Sequence, residues 1–248
     1  MKSIKFLALA VAGVLASNVA MAQAKDDGQW RGAFAGSLAL ASGNTKSTNL
    51  SLSADGVRAT KEDKIALYLT SLYGTNDAGG KTNKTANLLR AGGKYDWNLN
   101  DRTYLFGTLD LENDKILGLD RRTVIGAGLG YKVIKEADTN FEVFGGITSN
   151  SEKYTFGSRT GTELLLGEQS DHKLSAGTTF KQRFAIYPSL KDSGKNRSQF
   201  DAALVTAIAS GISMQFTLSH RQNSAAPAGT KKGDTLFLAG INIALGAK

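Results

Sequence analysis

Hydrophobic and polar residues alternate with a period of two over most of this chain. In the segment 122–133, one phase carries apolar residues such as Ile125, while the other carries glycines and Lys132. The segments 212–221 and 237–245 repeat this design. Successive side chains of a β-strand point to opposite faces, so a period of two with one apolar face predicts strands and not helices.

Repeating this count along the chain predicts about twelve strands in an all-β, single-domain fold. The pattern is weakest in the eighth segment. The predicted strands are 30–41, 47–58, 64–75, 85–97, 102–112, 121–133, 140–150, 160–169, 173–186, 197–209, 212–223 and 233–246.

The predicted connections differ in length on the two sides of such a sheet. One set is short and polar, at 60–63, 98–101, 134–139, 169–172 and 210–211. Apart from a short first one at 43–46, the other set is longer, at 76–84, 113–120, 151–159, 188–196 and 224–232. An even strand number with short periplasmic turns and longer external loops is typical of a transmembrane antiparallel β-barrel in the bacterial outer membrane.

A soluble β-sandwich also alternates, but its strands are usually about five or six residues long. Segments of ten to twelve residues match the length that a tilted strand needs to cross a membrane. Aromatic residues on the apolar phase also fall into two groups, one at the predicted periplasmic strand ends and one toward the opposite ends. The first group is Trp30, Trp97, Tyr131 and Phe141, and the second is Tyr73, Phe184 and Phe200. Two aromatic girdles favour the membrane barrel.

The N-terminus predicts export. Lys2 and Lys5 precede an apolar run from Phe6 to Leu15, and small residues follow at Ala20–Ala22 and Ala22–Ala24. A positive start, a short apolar core and an A-x-A exit indicate a cleaved signal peptide. We therefore predict a signal peptide at residues 1–22, with cleavage after residue 22 or 24, and a mature barrel at 23–248.

Charge and composition indicate which classes of binding partner to expect. Removing the signal takes two of the 30 basic residues and none of the 22 acidic ones, so the formal net charge falls from +8 to +6. The basic residues are scattered and form no nucleic-acid motif, so we expect outer-membrane lipids and lipopolysaccharide as neighbours, and no nucleic acid. The chain has no cysteine. Both prolines, Pro188 and Pro227, fall in predicted loops, as a closed hydrogen-bonded sheet requires.

The polar phase holds the candidate functional residues, eight basic and six acidic side chains predicted to face the lumen. They are Arg31, Asp55, Arg90, Lys94, Asp96, Arg102, Asp110, Glu112, Lys132, Glu142, Lys181, Arg183, Asp201 and Arg221. Two interpretations remain open. The lumen is a weak channel for small solutes, with a mild anion preference, or the charges pair across a narrow, filled interior. The close balance of charge favours the second.

Enzymatic function is not predicted, although an outer-membrane hydrolase acting on lipid or peptide is the alternative. The chain has two histidines. His172 falls in a predicted periplasmic turn beside Asp171, and His220 lies on the lipid-facing phase beside Ser219. Adjacent strand residues point to opposite faces, so Ser219 and His220 do not form a nucleophile–base pair. The sequence supplies no catalytic residues, no metal ligands and no cofactor-binding motif, and we predict no cofactor.

Several short motifs resemble those of the salt-induced outer-membrane proteins, a family with a domain of unknown function. They are Trp30-x-Gly32, Ser42–Thr45, Asp120–Arg122, Gly126–Tyr131, and Glu142 followed by Gly145–Gly146. The resemblance covers essentially the whole mature chain. It implies an outer-membrane barrel linked to salt or envelope stress, and it supplies no ligand residues.

The C-terminal residues depart from the usual barrel pattern. Outer-membrane barrels commonly end on an aromatic residue that the barrel-assembly machinery reads, whereas here the alternation stops at Leu245 and continues as Gly246–Lys248. We expect that machinery as a partner during insertion, and a monomeric barrel afterwards.

Overall fold

The computed structural model describes residues 25–41, 46–78, 81–225 and 232–246. The predicted signal peptide and its cleavage sites lie outside the described residues. The described part contains twelve β-strands. They are β1 (Trp30–Ala41), β2 (Lys46–Ala59), β3 (Asp63–Ala78), β4 (Lys81–Asn98), β5 (Thr103–Asp114), β6 (Leu119–Lys135), β7 (Thr139–Tyr154), β8 (Gly157–Lys173), β9 (Thr178–Pro188), β10 (Asn196–Ala209), β11 (Ile212–Asn223) and β12 (Gly233–Gly246). Each strand lies where the alternation predicts one.

The strands form a closed barrel. Each strand pairs antiparallel with its neighbours in the chain, and β1 pairs antiparallel with β12 to close the wall. This closing register runs from Arg31 opposite Gly246 to Gly36 opposite Ile241. The predicted fold class, an antiparallel β-barrel of about twelve strands in a single domain, is confirmed. In the part of the chain that the structure describes, no helix has the length and apolar character to cross a membrane.

The two faces of the wall differ in chemistry. Outward residues such as Ile125 and Ile147 expose 58% and 55% of their surface, whereas the inward Tyr104 and Thr148 expose 1% and 2%. Alternate side chains of one strand necessarily occupy the two faces. The result is an apolar exterior around a mixed polar and aromatic interior, the reverse of a soluble protein and the arrangement that a lipid surrounding selects.

Both ends of the barrel carry outward aromatic side chains. We call the end where β1 begins and β12 ends the terminal rim, and the opposite end the distal rim. Trp30, Trp97 and Tyr131 are exposed near the terminal rim, and Tyr73 and Phe184 are exposed farther toward the distal rim. This placement follows the predicted girdles.

Four of the connections at the distal rim, those after β3, β5, β7 and β9, are shorter than the sequence predicts. The segment 151–159 was expected to be a loop, but β7 continues to Tyr154 and β8 starts at Gly157. These extended strand ends are polar, yet they stay paired because their inward side chains bind one another. Glu152 accepts from Arg122 at 3.0 Å and forms an ion pair with Arg159 at 3.3 Å.

An aromatic wedge fills one side of the interior and consists of Tyr104, Phe106, Phe144, Leu165 and Ala185. Phe106 and Phe144 meet edge to face, with ring centroids 6.1 Å apart. The inward glycines of β6 make room for these rings. A Cβ atom at Gly130 would collide with the Tyr104 ring, and one at Gly128 would collide with the Gly145 carbonyl and the Phe106 ring.

Candidate functional site

The interior holds thirteen of the fourteen charged residues predicted to face the lumen. Arg31, Asp96, Glu142, Lys181 and Asp201 are buried. The other eight are half-buried on the same inward phase, and they are Asp55, Arg90, Lys94, Asp110, Glu112, Lys132, Arg183 and Arg221.

Arg102 is the exception. It lies in the turn before β5, where its side chain is exposed and its guanidinium donates to the Val133 carbonyl oxygen at 3.2 Å. Asn100 Oδ1 accepts from the backbone N–H of Arg102 at 2.9 Å, which stabilises the turn. The strand therefore begins one residue later than predicted, and Arg102 stays outside the lumen.

Charged groups in the distal half of the lumen form a network of arginines and glutamates. Arg122 donates to Glu112 at 2.6 Å and to Glu152 at 3.0 Å, so one side chain of β6 joins β5 and β7. Arg197 of β10 contacts Glu163 of β8 through two nitrogens, at 2.9 and 2.5 Å. We call these residues, with Arg159, the distal arginine network. Because guanidinium donors are planar and fixed, such contacts hold strands in register.

The middle of the lumen continues this pairing. Asp110 accepts from Arg90 at 3.2 Å and from the Tyr68 hydroxyl. On the other side, Asp201 accepts from the Ser219 hydroxyl at 2.6 Å. Opposite charges and hydroxyls therefore contact one another within the wall lining, although two buried nitrogens of Arg90 have no hydrogen-bond partner among the described residues.

Near the terminal rim, lysines surround a buried carboxylate. Asp96 of β4 is contacted by Lys64 at 3.2 Å and by Lys94 at 2.8 Å. Lys132 donates to Asn98 at 3.2 Å. We call Lys64, Lys94, Lys132 and Asp96 the rim lysine cluster. Apart from Arg31 at the start of β1, the lysines of this cluster lie toward the terminal rim and the arginines of the network lie toward the distal rim.

Sequence reasoning missed several of these residues. Glu152 and Arg159 were placed in a loop, and Lys64 and Arg197 fall at predicted strand starts. Arg122 lies inside a predicted strand and shares the inward phase of Val124, so the alternation itself carried the signal. The other four residues lie on polar strand ends, and extending the alternation into those ends would have placed their side chains on the inward face.

Cations also pack against the aromatic wedge. Lys94 Nζ lies 4.6 Å from the centroid of the Tyr104 ring, and the Arg183 guanidinium lies 5.2 Å from that of Phe144. Such contacts add attraction where water is excluded. They fix long side chains across the lumen instead of leaving them extended into solvent.

Three cavities lie between these groups in the described part of the interior. A cavity of about 90 Å³ lies between Arg90, Phe144 and Asp201, and one of about 50 Å³ lies among Ser53, Thr70 and Thr217. A cavity of about 180 Å³ opens at the terminal rim beside Lys64 and Asp171. The first two have room for a few water molecules, given that one water needs only ~10–15 Å³ of such space.

The segment before β1 carries one more ion pair. Asp27 accepts from two nitrogens of Arg31, at 2.8 and 2.5 Å. These hydrogen bonds, together with one from the Gln29 backbone N–H, hold the pKa of the Asp27 carboxyl well below its ordinary value.

Both histidines face outward. His220 contacts the Thr235 hydroxyl at 2.8 Å, and the adjacent Ser219 lies on the inward face, where it donates to Asp201. His172 does not lie in a turn as predicted, because β8 continues to Lys173. Its Nε2 lies 3.1 Å from the Ser170 hydroxyl. In the residues described, no group of three or more His, Cys, Asp or Glu side chains is placed to hold a metal ion.

The family model described as "Protein of unknown function, DUF481" matches residues 35–244. The chain belongs to the DUF481 family. This agrees with the resemblance noted from the sequence motifs, and it covers nearly the whole of the DUF481 barrel. No curated protein matches the chain.

Solved structures similar to this DUF481 protein include the translocator domain of the autotransporter NalP from Neisseria meningitidis. It shares 13% identity, with 92% of each chain covered and a TM-score of 0.49. An outer-membrane channel from Pseudomonas putida F1 shares 11% identity over 89% of this chain and 96% of that one, with a TM-score of 0.48. The NanC porin shares 12% identity over 89% and 98%, with a TM-score of 0.45.

Proposed function

We propose that this protein is a non-enzymatic barrel of the bacterial outer membrane whose lumen is closed at rest, with a structural role or weak conductance for small solutes. The observation that carries the proposal is the filled interior. Ion pairs line the half of the lumen toward the distal rim, and the aromatic wedge occupies one side of the half toward the terminal rim. A barrel of twelve strands is narrower than the ~16–18-stranded barrels that leave an aqueous channel, and here long side chains occupy the remaining space.

The proposal includes location and surroundings. The apolar exterior and the two aromatic girdles support insertion in a bilayer, and a closed barrel leaves no unpaired strand edge in lipid. Contact with phospholipid and lipopolysaccharide, and insertion by the barrel-assembly machinery, complete the proposal. The link to salt or envelope stress that the resemblance implies remains a prediction.

Current recording in planar bilayers tests whether the lumen is closed. We expect wild-type protein to give no long-lived open state, and at most small, brief steps. The double variant F106A/F144A removes two of the three rings of the aromatic wedge and should give a measurable steady conductance. The matched control L109A shortens an outward side chain of β5 and should behave as wild type.

Two results would contradict the closed-lumen proposal. One is a stable wild-type conductance comparable with that of an open porin. The other is equal conductance in F106A/F144A and wild type, which would show that the aromatic side chains do not block a path.

A second candidate function is hydrolysis of lipid or peptide, and the Ser170–His172 contact is the observation that favours it. A hydroxyl within hydrogen-bond reach of an imidazole is the first requirement of nucleophilic catalysis. Ser170 is only 5% exposed, however, and the backbone N–H groups around it serve the ladders with β7 and β9. If phospholipid or peptide hydrolysis is found, S170A and H172A should abolish it, while T235A, at the other hydroxyl–imidazole pair, should not.

A further inference from the structure

Polar side chains interrupt the apolar exterior at one place on β8 and β9. Glu168, Ser170 and His172 share the outward phase of Leu166, and Gln182 shares that of Phe184. We call these four residues the outward polar patch. Leu166 and Phe184 are exposed, at 46% and 39%, which shows that this phase faces away from the lumen.

The patch lies toward the terminal rim, at the edge of the apolar band of the exterior. In the wall, Glu168 is opposite Val143 on β7 and Phe184 on β9, and Ser170 is opposite Phe141. Farther round the barrel the outward residues are apolar, for example Leu67, Leu105 and Leu129. An ionisable side chain that faces lipid is energetically unfavourable, and it marks a functional surface by default.

Two members of the patch are already joined. Gln182 Nε2 donates to Glu168 Oε1 at 3.0 Å. This bond uses one carboxylate oxygen and one of the two amide N–H groups. The second carboxylate oxygen, the amide oxygen and the second N–H therefore remain as acceptors and a donor for a group that approaches from the membrane.

These groups are self-complementary. Because the Glu168 and Gln182 polar atoms are 3.0 Å apart, their depths in the membrane differ by no more than that distance. A twofold axis that runs parallel to the barrel axis beside them would bring Gln182 of each copy to Glu168 of the other. The Gln182 amide of each copy then donates to the Glu168 carboxylate of the other, so the same contact forms twice, as an isologous interface requires.

We infer that the outward polar patch is the contact through which two copies of this chain associate side by side in the membrane. Polar side chains buried between membrane-spanning segments form hydrogen bonds that replace exposure to hydrocarbon. The flanking Phe141, Val143 and Phe184 provide the surrounding apolar contact. This inference differs from the monomer expected from the sequence, and it is independent of whether the lumen conducts.

Cysteine cross-linking in lipid vesicles tests the pairing, because the native chain has no cysteine. The variant Gln182→Cys places a thiol in the patch. The matched control Leu67→Cys places one on the outward face of β3, four residues from the terminal-rim end of its strand, as Gln182 is on β9. Under mild oxidation we expect a covalent dimer from Q182C, at several times the yield from L67C.

A second measurement does not depend on cysteine chemistry. Single-molecule photobleaching of labelled protein in sparsely loaded vesicles should show mostly two-step traces for wild type. The double variant E168L/Q182L should show mostly one-step traces. Folding of each variant is checked by the gel shift between boiled and unboiled samples.

Equal cross-linking of Q182C and L67C would overturn the inference, as would one-step bleaching of wild type. Two-step bleaching that persists in a folded E168L/Q182L would assign the dimer to another surface. If Q182C cross-links to a different envelope protein and not to itself, the patch binds that protein and the twofold pairing is wrong.

Discussion

The distal arginine network and the rim lysine cluster both neutralise buried carboxylates in the lumen, but they do so with different cations. In the distal arginine network, Arg122 joins Glu112 and Glu152 through separate nitrogens, at 2.6 and 3.0 Å. In the rim lysine cluster the arrangement is reversed, because one carboxylate, Asp96, is shared by Lys64 and Lys94. An arginine that joins two carboxylates is a cross-link between strands, whereas two lysines on one carboxylate provide redundancy.

The difference predicts how each half responds to loss of a cation. Removal of Arg122 takes the shorter ion pair from two largely buried carboxylates at once, and leaves Glu112 with Arg90 at 3.8 Å and Glu152 with Arg159 at 3.3 Å. Removal of Lys94 leaves Asp96 with Lys64 still 3.2 Å away. Breaking a buried pair by deleting one partner is costly because the remaining charge is uncompensated. The arginine half should therefore be the more fragile.

The largest expected effect comes from Arg122→Ala. We expect a loss of about 3 kcal/mol in the free energy of unfolding, near the lower end of the range for broken buried pairs because Glu112 keeps Arg90 and Glu152 keeps Arg159. Urea unfolding of the refolded protein in lipid vesicles measures it. The control Arg121→Ala removes an exposed arginine from the same strand and should change stability little. A loss of stability no greater than that of Arg121→Ala would show that the contacts of Arg122 with Glu112 and Glu152 do not stabilise the barrel.

Arg122→Lys should have an intermediate effect. It keeps the charge, but a single ammonium cannot reproduce the guanidinium geometry that reaches Glu112 and Glu152 together. The loss of one charge-assisted hydrogen bond predicts about 2 kcal/mol of destabilisation. The same unfolding experiment applies, and stability equal to wild type would show that charge alone, without geometry, holds this half.

Lys94→Met should cost less, about 1 kcal/mol, because Asp96 retains its second lysine. The double variant Lys64→Met/Lys94→Met should lose clearly more than the sum of the two single variants. This non-additivity is the signature of redundancy. Additive losses would mean that the two lysines act independently of Asp96.

The smallest effect concerns the ion pair between Arg31, at the start of β1, and the exposed Asp27 in the segment before it. The pKa of Asp27 is lowered in the folded state, so its contribution is present above the ordinary carboxyl pKa of ~3.9 and is lost as the pH falls below it. The melting temperatures of wild type and Asp27→Asn should differ slightly at pH 7 and converge toward pH 3. A difference that does not change with pH would assign the effect to something other than the carboxylate.

The sequence pattern predicts the fold well because a period of two records which face each residue occupies. It placed Arg90, Asp96 and Asp201 in the interior without any structure. It did not predict partners such as Glu163 for Arg197, since these lie two strands apart and meet only through the register and stagger of the closed sheet. It also ended strands where hydrophobicity ends, and so assigned Glu152 and Arg159 to a loop.

The outward polar patch escaped prediction for a related reason. In the sequence, Ser170 and His172 were read as part of a turn, and a turn has no outward or inward phase. Only the continuation of β8 to Lys173 places them on the same face as Glu168. The contact between Glu168 and Gln182 also depends on the pairing of β8 with β9, which alternation along one strand does not show.

The seam between β1 and β12 has a consequence for how the wall forms and fails. Its register ends at Gly36 and Ile241, whereas β3 and β4 stay paired from Asp63 and Trp97 to Ala78 and Lys81. Fewer ladder hydrogen bonds hold these two strands together than hold β3 to β4. The seam also joins the first and last strands of the chain, so it is the only joint of the wall that must wait for the last strand to reach the first. We therefore expect the β1–β12 pairing, which completes the barrel, to separate more readily than the β3–β4 pairing.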